Sequence, residues 1–285
     1  MTAQATVSGR LQEYALAQLD LALHYLTDGR YKSDTAIHET RRCLKRVRAL
    51  LRLVKAGLPS EIFDRDNLYL RDQGRRLAEL RDAAVMLETF AALKKTHTSH
   101  LPRRAWREFK QELLLGKSQS EEQKKKRMKA VAAKLRIARA RIAKWPLESD
   151  DDAVWRQGVR KMYRRGRRAM KQVRENPTSE AFHEWRKQVN HLRHQLQLLR
   201  ELQLGEVKEP LKLTRALAST LGRQNDLAVL AQRLLPPNQT EQSSGQRALE
   251  QLIQTMQTDY QKDAFQQGAQ LYRRSAKSFS KSLHV

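Results

Sequence analysis

Two stretches of this chain, Ile37 to Lys55 and Phe182 to Arg200, carry the same double stripe 145 residues apart. In the first, Ile37, Thr40, Leu44, Val47, Leu51 and Val54 keep the alternating three- and four-residue spacing of a helix seam. His38, Arg41, Lys45, Arg48, Arg52 and Lys55 keep it one position later. In the second, the seam is Phe182, Trp185, Val189, Leu192, Leu196 and Leu199, beside His183, Arg186, Asn190, Arg193, Gln197 and Arg200. One step along an α-helix turns about 100°, so each polar ladder runs along the edge of its apolar seam. Such helices must bury one face against partners, and the cations at the rim of that contact form a strip suited to a polyanion.

The repeat extends further. Leu77, Asp82, Val85 and Leu87 correspond to Leu221, Asp226, Val229 and roughly Leu230 at an offset of 144. Resemblance among helical seams accounts for the leucines but not for the paired His-Glu-x-Arg and Asp-x-x-Val, so the spacing predicts two similar helical bundles in tandem. With 7 Pro and 11 Gly, many of them where periodic segments end, the chain reads as nearly all helix. Helices are predicted at about 9–27, 35–56, 61–80, 82–95, 103–115 and 120–144 in a first half. The second half offers 152–174, 179–203, 207–221, 225–235, 246–264 and a tail to about 282. Gly57 with Pro59 is expected to close the first ladder helix, and Gly205 the second as a left-handed cap. Trp145 to Asp152 divides the halves, and Pro236 to Gly245 reads as a polar, flexible connection.

Charge narrows the partner class. Lys plus Arg number 56 against 31 Asp plus Glu, a formal excess of +25, well beyond what solubility asks. Nucleic acid, an anionic membrane and a phosphate polymer all match that excess. Charges interrupt every apolar stretch, so no membrane span is expected, and the lack of an apolar run behind Met1 to Arg10 favours the cytoplasm. The single cysteine, Cys43, reads as a small packed residue near the seam.

Few motifs point to catalysis. His38-Glu39 is followed at position 42 by arginine, and His183-Glu184 by Lys187, so neither copy completes a helical zinc site. His191 with His194 and His97 with His100 sit among cations, which suits solvent or an anion better than a metal. Asp150, Asp151 and Asp152 read as caps of the next helix. No Walker loop, nucleophile elbow or His-Asp doublet occurs. A further cationic run holds Arg160, Arg164, Arg167, Lys171 and Arg174 at helical spacing beside a seam in which Gly166 is small enough to admit another helix. Solvated faces usually mix signs, and this stripe does not.

The blocks HETRRCLKRVRALL and HEWRKQVNHLRHQL, followed by LAELRDAAV and LGRQNDLAV, resemble the CHAD family, the conserved histidine α-helical domain, over about residues 8–283. The resemblance implies an all-α unit of two pseudo-symmetric antiparallel four-helix-type bundles in tandem, here 8–145 and 152–283. It further implies a basic surface or cavity that binds inorganic polyphosphate without catalysis or cofactor, and an association with polyphosphate granules. The family's basic motif falls on His38, Arg41, Lys45, Arg46 and Arg48, and on His183, Arg186, Lys187, His191 and Arg193. Arg42, Arg52, Arg160, Arg164, Arg167, Lys171 and His194 join them as candidate binding residues from the ladders and runs themselves. Asn190 and Asn225 depart from the pattern, the latter where the first half has Arg81.

Aromatic residues make up 6% of the chain, and those near the ladders, Phe182 and Trp185, lie on the seam. Readers of bases ordinarily add exposed aromatics for stacking, so a phosphate polymer is favoured over sequence-specific RNA or DNA. A nonspecific RNA or DNA binder stays open as the alternative. A metal-dependent polyphosphate enzyme would need Glu39, Asp82, Glu184 and Asp226, whose plainer role is pairing with arginines or capping helices.

Overall fold

The computed structural model describes residues 6–80, 82–115, 120–147, 152–235 and 243–283, with side chains of 82–84 and 152 excepted. Among them run α1 (Val7–Thr27), α2 (Ser33–Leu53), α3 (Ser60–Ala78), α4 (Asp82–Thr96), α5 (Arg103–Leu115), α6 (Glu121–Ile142), α7 (Asp152–Glu175), α8 (Ser179–Glu201), α9 (Lys208–Leu234), α10 (Ser244–Leu271) and α11 (Ala276–Lys281). Short 3-10 turns occupy Lys55–Gly57 and Thr98–His100. No strand occurs among the described residues, and none of their helices is long and apolar enough to cross a membrane.

Local chemistry sets the helix starts. Thr6 accepts a hydrogen bond from the Gly9 amide at 3.1 Å and so opens α1, and Thr178 does the same for α8 from Ala181 at 3.2 Å. Ser120 with Gln123, and Ser243 with Gln246, form reciprocal capping boxes at the heads of α6 and α10. The caps expected of Asp150 to Asp152, and most of the connection from Pro236 to Gly245, lie outside the described residues.

Two ends differ from expectation. α2 stops at Leu53 and passes into the 3-10 turn, three residues short of the expected end. The left-handed cap of α8 falls first on Gln203 (φ 53°), whose amide bonds Arg200 while Leu204 reaches back to Leu199 at 2.7 Å. Gly205 follows at φ 80°. A Cβ there would lie 2.3 Å from the Leu283 carbonyl oxygen, so the glycine also admits the chain's last turn.

Packing follows the seams. α1 packs on α2, α2 on α3, and α6 closes against α1 and α3; α7 packs on α8, α8 on α9, and α9 on α10. One apolar core runs through both halves, with Leu44, Leu51, Val159, Trp185, Leu196 and Leu221 buried in the same cluster. Burying each such side chain stabilises the fold by roughly 1.5–3 kcal/mol before entropy is counted. A satellite core joins the halves differently. Phe90, Trp106 and Phe109 of α4 and α5 pack with Leu230, Leu234 and Leu249 of α9 and α10. The two helices expected at 207–221 and 225–235 are one, α9, whereas the corresponding stretch of the first half breaks between α3 and α4.

Several polar links lie inside. Trp145 donates to Asp66 Oδ2 at 2.9 Å, and Arg65 pairs with the same buried carboxylate, tying the end of α6 to α3. Tyr163 donates to the carbonyls of Leu271 and Arg274, which holds the end of α10 on α7. Its neighbour Gly166 meets Tyr272, whose hydroxyl would lie 2.2 Å from an added Cβ. Cys43 is buried as expected, and burial pushes its thiol up to about 11.

Candidate anion site between the ladder helices

α2 and α8 are neighbours, so their ladders converge instead of lining separate surfaces. Between them, with α3 and α9 as further walls, lies a cavity of about 850 Å³. α2 contributes Arg41, Lys45, Arg48 and Arg52; α3 contributes Arg71 and Arg75; α7 contributes Arg165; α8 contributes Arg186, Lys187 and Arg193; α9 contributes Arg215. Asn67, Gln188, Asn190, His191 and His194 add neutral polar groups. No Asp or Glu, and no Phe, Tyr or Trp, is among the described lining residues.

Few of these cations are quenched within the cavity. Arg71 pairs with Asp72 at 2.9 Å and Lys187 with Glu184 at 2.6 Å, both carboxylates outside the lining. Arg48 donates to neutral Asn67 Oδ1 at 3.3 Å, and Arg52 to the Arg48 carbonyl at 2.7 Å. The Nε donors of Arg186 and Arg193 are buried and meet no acceptor among the described residues. A buried donor without a partner costs about 1–3 kcal/mol, more when charged, so the arrangement favours an incoming acceptor.

The titration behaviour has the same origin. Burial, then the charges of Arg41, Arg186 and Arg193, press the Lys45 ammonium down to about 8. Lys45 is nevertheless exposed in the cavity wall, so water screens it. Burial, Arg71 and Arg75 lower Arg48 to about 10, and burial, Arg48 and Arg165 lower Arg52 to about 9. Both guanidinium groups stay charged at neutral pH, and the shift expresses how strongly their surroundings favour a counter-anion. His194 is pushed to about 3 by burial and by Arg193 and Lys45, and His191 falls well below its ordinary value by burial and by Arg52 and Arg48. Both rings are neutral at pH 7, each with one donor and one acceptor nitrogen.

Other residues expected at the site stand elsewhere. His38 lies 3.8 Å from Glu39, and His183 Nδ1 lies 2.9 Å from Asn225 Oδ1; neither ring lines the cavity. Arg42 pairs with Glu39 at 2.9 Å, and Arg46 donates to Gln18 of α1 at 3.2 Å, so both lie beside the cavity and not in its wall. Arg160 and Arg164 line a smaller neighbouring cavity. Arg167 and Lys171 are exposed on α7 and line neither, Lys171 facing Glu175 at 3.5 Å.

The sequence profile of the CHAD domain matches residues 13–235, most of the chain. The chain belongs to the CHAD family. Its fold is similar to that of PptA from Streptomyces chartreusis, at a TM-score of 0.64 and 17% identity over 95% of this chain and 100% of that one. The CHAD domain from the plant Ricinus communis aligns at a TM-score of 0.48 and 17% identity, over 100% of this chain and 94% of that one. No curated protein matches the chain.

This CHAD chain places in the cavity wall several residues that sequence reasoning passed over: Arg71, Arg75, Arg165 and Arg215. A signal existed for α3, where Asn67, Arg71 and Arg75 recur every four residues beside the small Gly74 and Ala78. Arg165 is one step from Arg164 and was hidden by the stronger stripe next to it. Arg215 carries no pattern of its own.

Proposed function

We propose that this CHAD protein binds inorganic polyphosphate in the cavity between α2, α3, α8 and α9, and does not itself cleave or extend the chain. The observation that carries the reading is the lining: eleven cationic side chains and, among the described residues, no carboxylate. Held together without a ligand, such a wall is self-repelling; a polyanion relieves the repulsion and releases counterions as it enters. Arginine forks suit paired phosphate oxygens, while the lysines act as point charges.

A linear polymer fits better than a small anion because the cations form rows. Arg41 to Arg52 spans 12 residues of α2, about 17 Å at helical rise. The absence of an aromatic platform from the described lining favours a chain without bases over RNA or single-stranded DNA. A divalent metal would find no carboxylate in that lining, which supports binding over turnover. Association with polyphosphate granules belongs to the same reading.

Binding of long polyphosphate, RNA and duplex DNA at matched phosphate and several salt concentrations tests it. Polyphosphate is expected to bind tightest, with a log-log salt slope corresponding to several released counterions. A slope near zero, or equal affinity for duplex DNA, overturns the reading. Polyphosphate turnover with magnesium or manganese that is lost in Glu39→Gln or Asp226→Asn replaces it with an enzyme.

A further inference from the structure

The end of α2 meets α7 beside a second cationic cavity. A Cβ on Gly158 would lie 2.2 Å from the Leu53 carbonyl oxygen and 2.7 Å from its Cα, so the two backbones touch there. The contact sets Arg52 and Lys55 against Arg160, Lys161 and Arg164 around a space of about 420 Å³. Lys55 is steadied over the Phe63 ring, 4.0 Å from its centroid. Burial, then Arg165, Lys55 and Arg164, lowers the Lys161 ammonium, so the cations of the two elements feel one another across the cleft.

A purely structural account falls short. Cations at a helix C-terminus offset its dipole, but that end carries only about half a negative charge, and Arg52 with Lys55 already exceeds it. Three more cations come from α7, and no Asp or Glu is among the described lining residues. The cleft also adjoins the larger cavity: Arg52 lines both, and Arg165, next to Arg164, lines the larger one.

We infer that the α2–α7 cleft is a second anion subsite, continuous with the main cavity through Arg52, and that it makes the protein selective for phosphate polymers long enough to fill both. The inference rests on the reading of the main cavity as a phosphate site. From Arg41 to Lys55 the two subsites together follow 15 residues of α2 and the turn after it, about 21 Å at helical rise, a length that a triphosphate does not span.

The test compares tripolyphosphate with long-chain polyphosphate on the intact chain and on Lys161→Gln with Arg164→Gln. The double variant is expected to bind tripolyphosphate within about twofold of the parent and long chains about tenfold or more weakly, with a salt slope shallower by about one to two. Lys45→Gln with Arg193→Gln, in the main cavity, is expected to weaken both ligands. Equal losses for both ligands in the α7 variant, or undiminished long-chain binding, overturns the subsite while leaving the main cavity standing. Loss of long RNA binding with polyphosphate untouched also overturns it, as a nucleic-acid track. A parent chain that binds neither phosphate removes the underlying reading and the subsite together. A thermal melt at or above the parent's establishes that the double variant folds. Arg164→Gln alone, an exposed side chain, repeats the comparison with a long-chain loss of about threefold.

Discussion

The Gln195 side chain of α8 reaches the Ala49 carbonyl of α2 at 3.4 Å, with both residues fully buried. This contact joins the two ladder helices in the buried interior. It is long for a hydrogen bond, and Gln195 Oε1 is buried without a donor among the described residues. Its contribution is therefore volume more than bonding. Gln195→Leu is expected to change unfolding free energy by less than about 1.5 kcal/mol, since it conserves size and removes an unsatisfied oxygen. Gln195→Ala is expected to cost about 2–3 kcal/mol through the cavity it leaves. Urea denaturation separates the two, and a Leu variant as unstable as the Ala variant would show that the hydrogen bond holds the helices.

Gly158 gives a sharper case of close approach. Because an added Cβ would collide with backbone and not with a movable side chain, Gly158→Ala must push α7 away from the end of α2. A cost of about 1–3 kcal/mol is expected, the usual range for overpacking. Thermal melts of parent and variant check it, and an unchanged or higher melting temperature would sink the claimed contact.

Position should outweigh net charge in ligand binding. Arg41, Lys45 and Arg48 line the main cavity, whereas Lys125, Lys126 and Lys129 are exposed along α6. Lys124 is unsuited as a control because it is buried and held by Asp34 at 3.0 Å and Glu121 at 2.9 Å. Reversing each set of three to Glu changes net charge equally. Long polyphosphate is expected to weaken at least about tenfold more in the cavity set, since exposed charges beyond a Debye length are largely screened. Equal losses in a titration would mean that diffuse charge suffices.

The pH dependence follows from Lys45 and the two half-buried imidazoles. A bound phosphate chain raises the Lys45 value from about 8, so binding takes up a proton, and affinity is expected to fall as pH rises from about 8 to about 10. Lys45→Arg is expected to flatten that fall because the guanidinium stays charged throughout. In the free protein the sign runs the other way. The folded value of Lys45 lies below its unfolded one, so the unfolded chain holds more protons and stability rises with pH above about 8. His194, at about 3 when folded, acts likewise in acid: its contribution is full above its ordinary value of 6.5 and is lost as pH falls toward 3. The charges of Arg193, Lys45, Arg46 and Arg42 act on that ring, and those of Arg52, Arg48 and Lys187 on His191, so polyphosphate is expected to protect against acid unfolding. Chemical denaturation between about pH 4 and 7, with and without polyphosphate, measures this; identical acid loss in both would contradict it.

Much of the molecule is legible in local pattern. Seams at three- and four-residue spacing are a property of a single helix, so Ile37, Leu44 and Leu51, or Trp185, Val189 and Leu196, announce their burial without knowledge of any partner. Arg41, Lys45, Arg48 and Arg52 are legible for the same reason, since a side chain one step from a buried seam must lie at the edge of a helix contact. The break between α3 and α4 and the continuity of α9 are not, because both sequences carry similar seams and the difference lies in what packs on them.

The amino-acid sequence by itself determined that the chain is helical, that one edge of α2 and one of α8 is polar and largely cationic, and that the whole is strongly positive. Those are consequences of spacing and composition within single helices. Only the tertiary structure decided that the two edges face one cavity, that Arg71, Arg75, Arg165 and Arg215 join them, and that Arg42, Arg46, His38 and His183 do not. A residue one turn or one step away carries the same charge, but whether it meets other cations depends on the angle and distance at which helices cross. Packing between residues far apart in sequence sets those crossings, and Coulomb repulsion among the gathered cations is felt only once they are made.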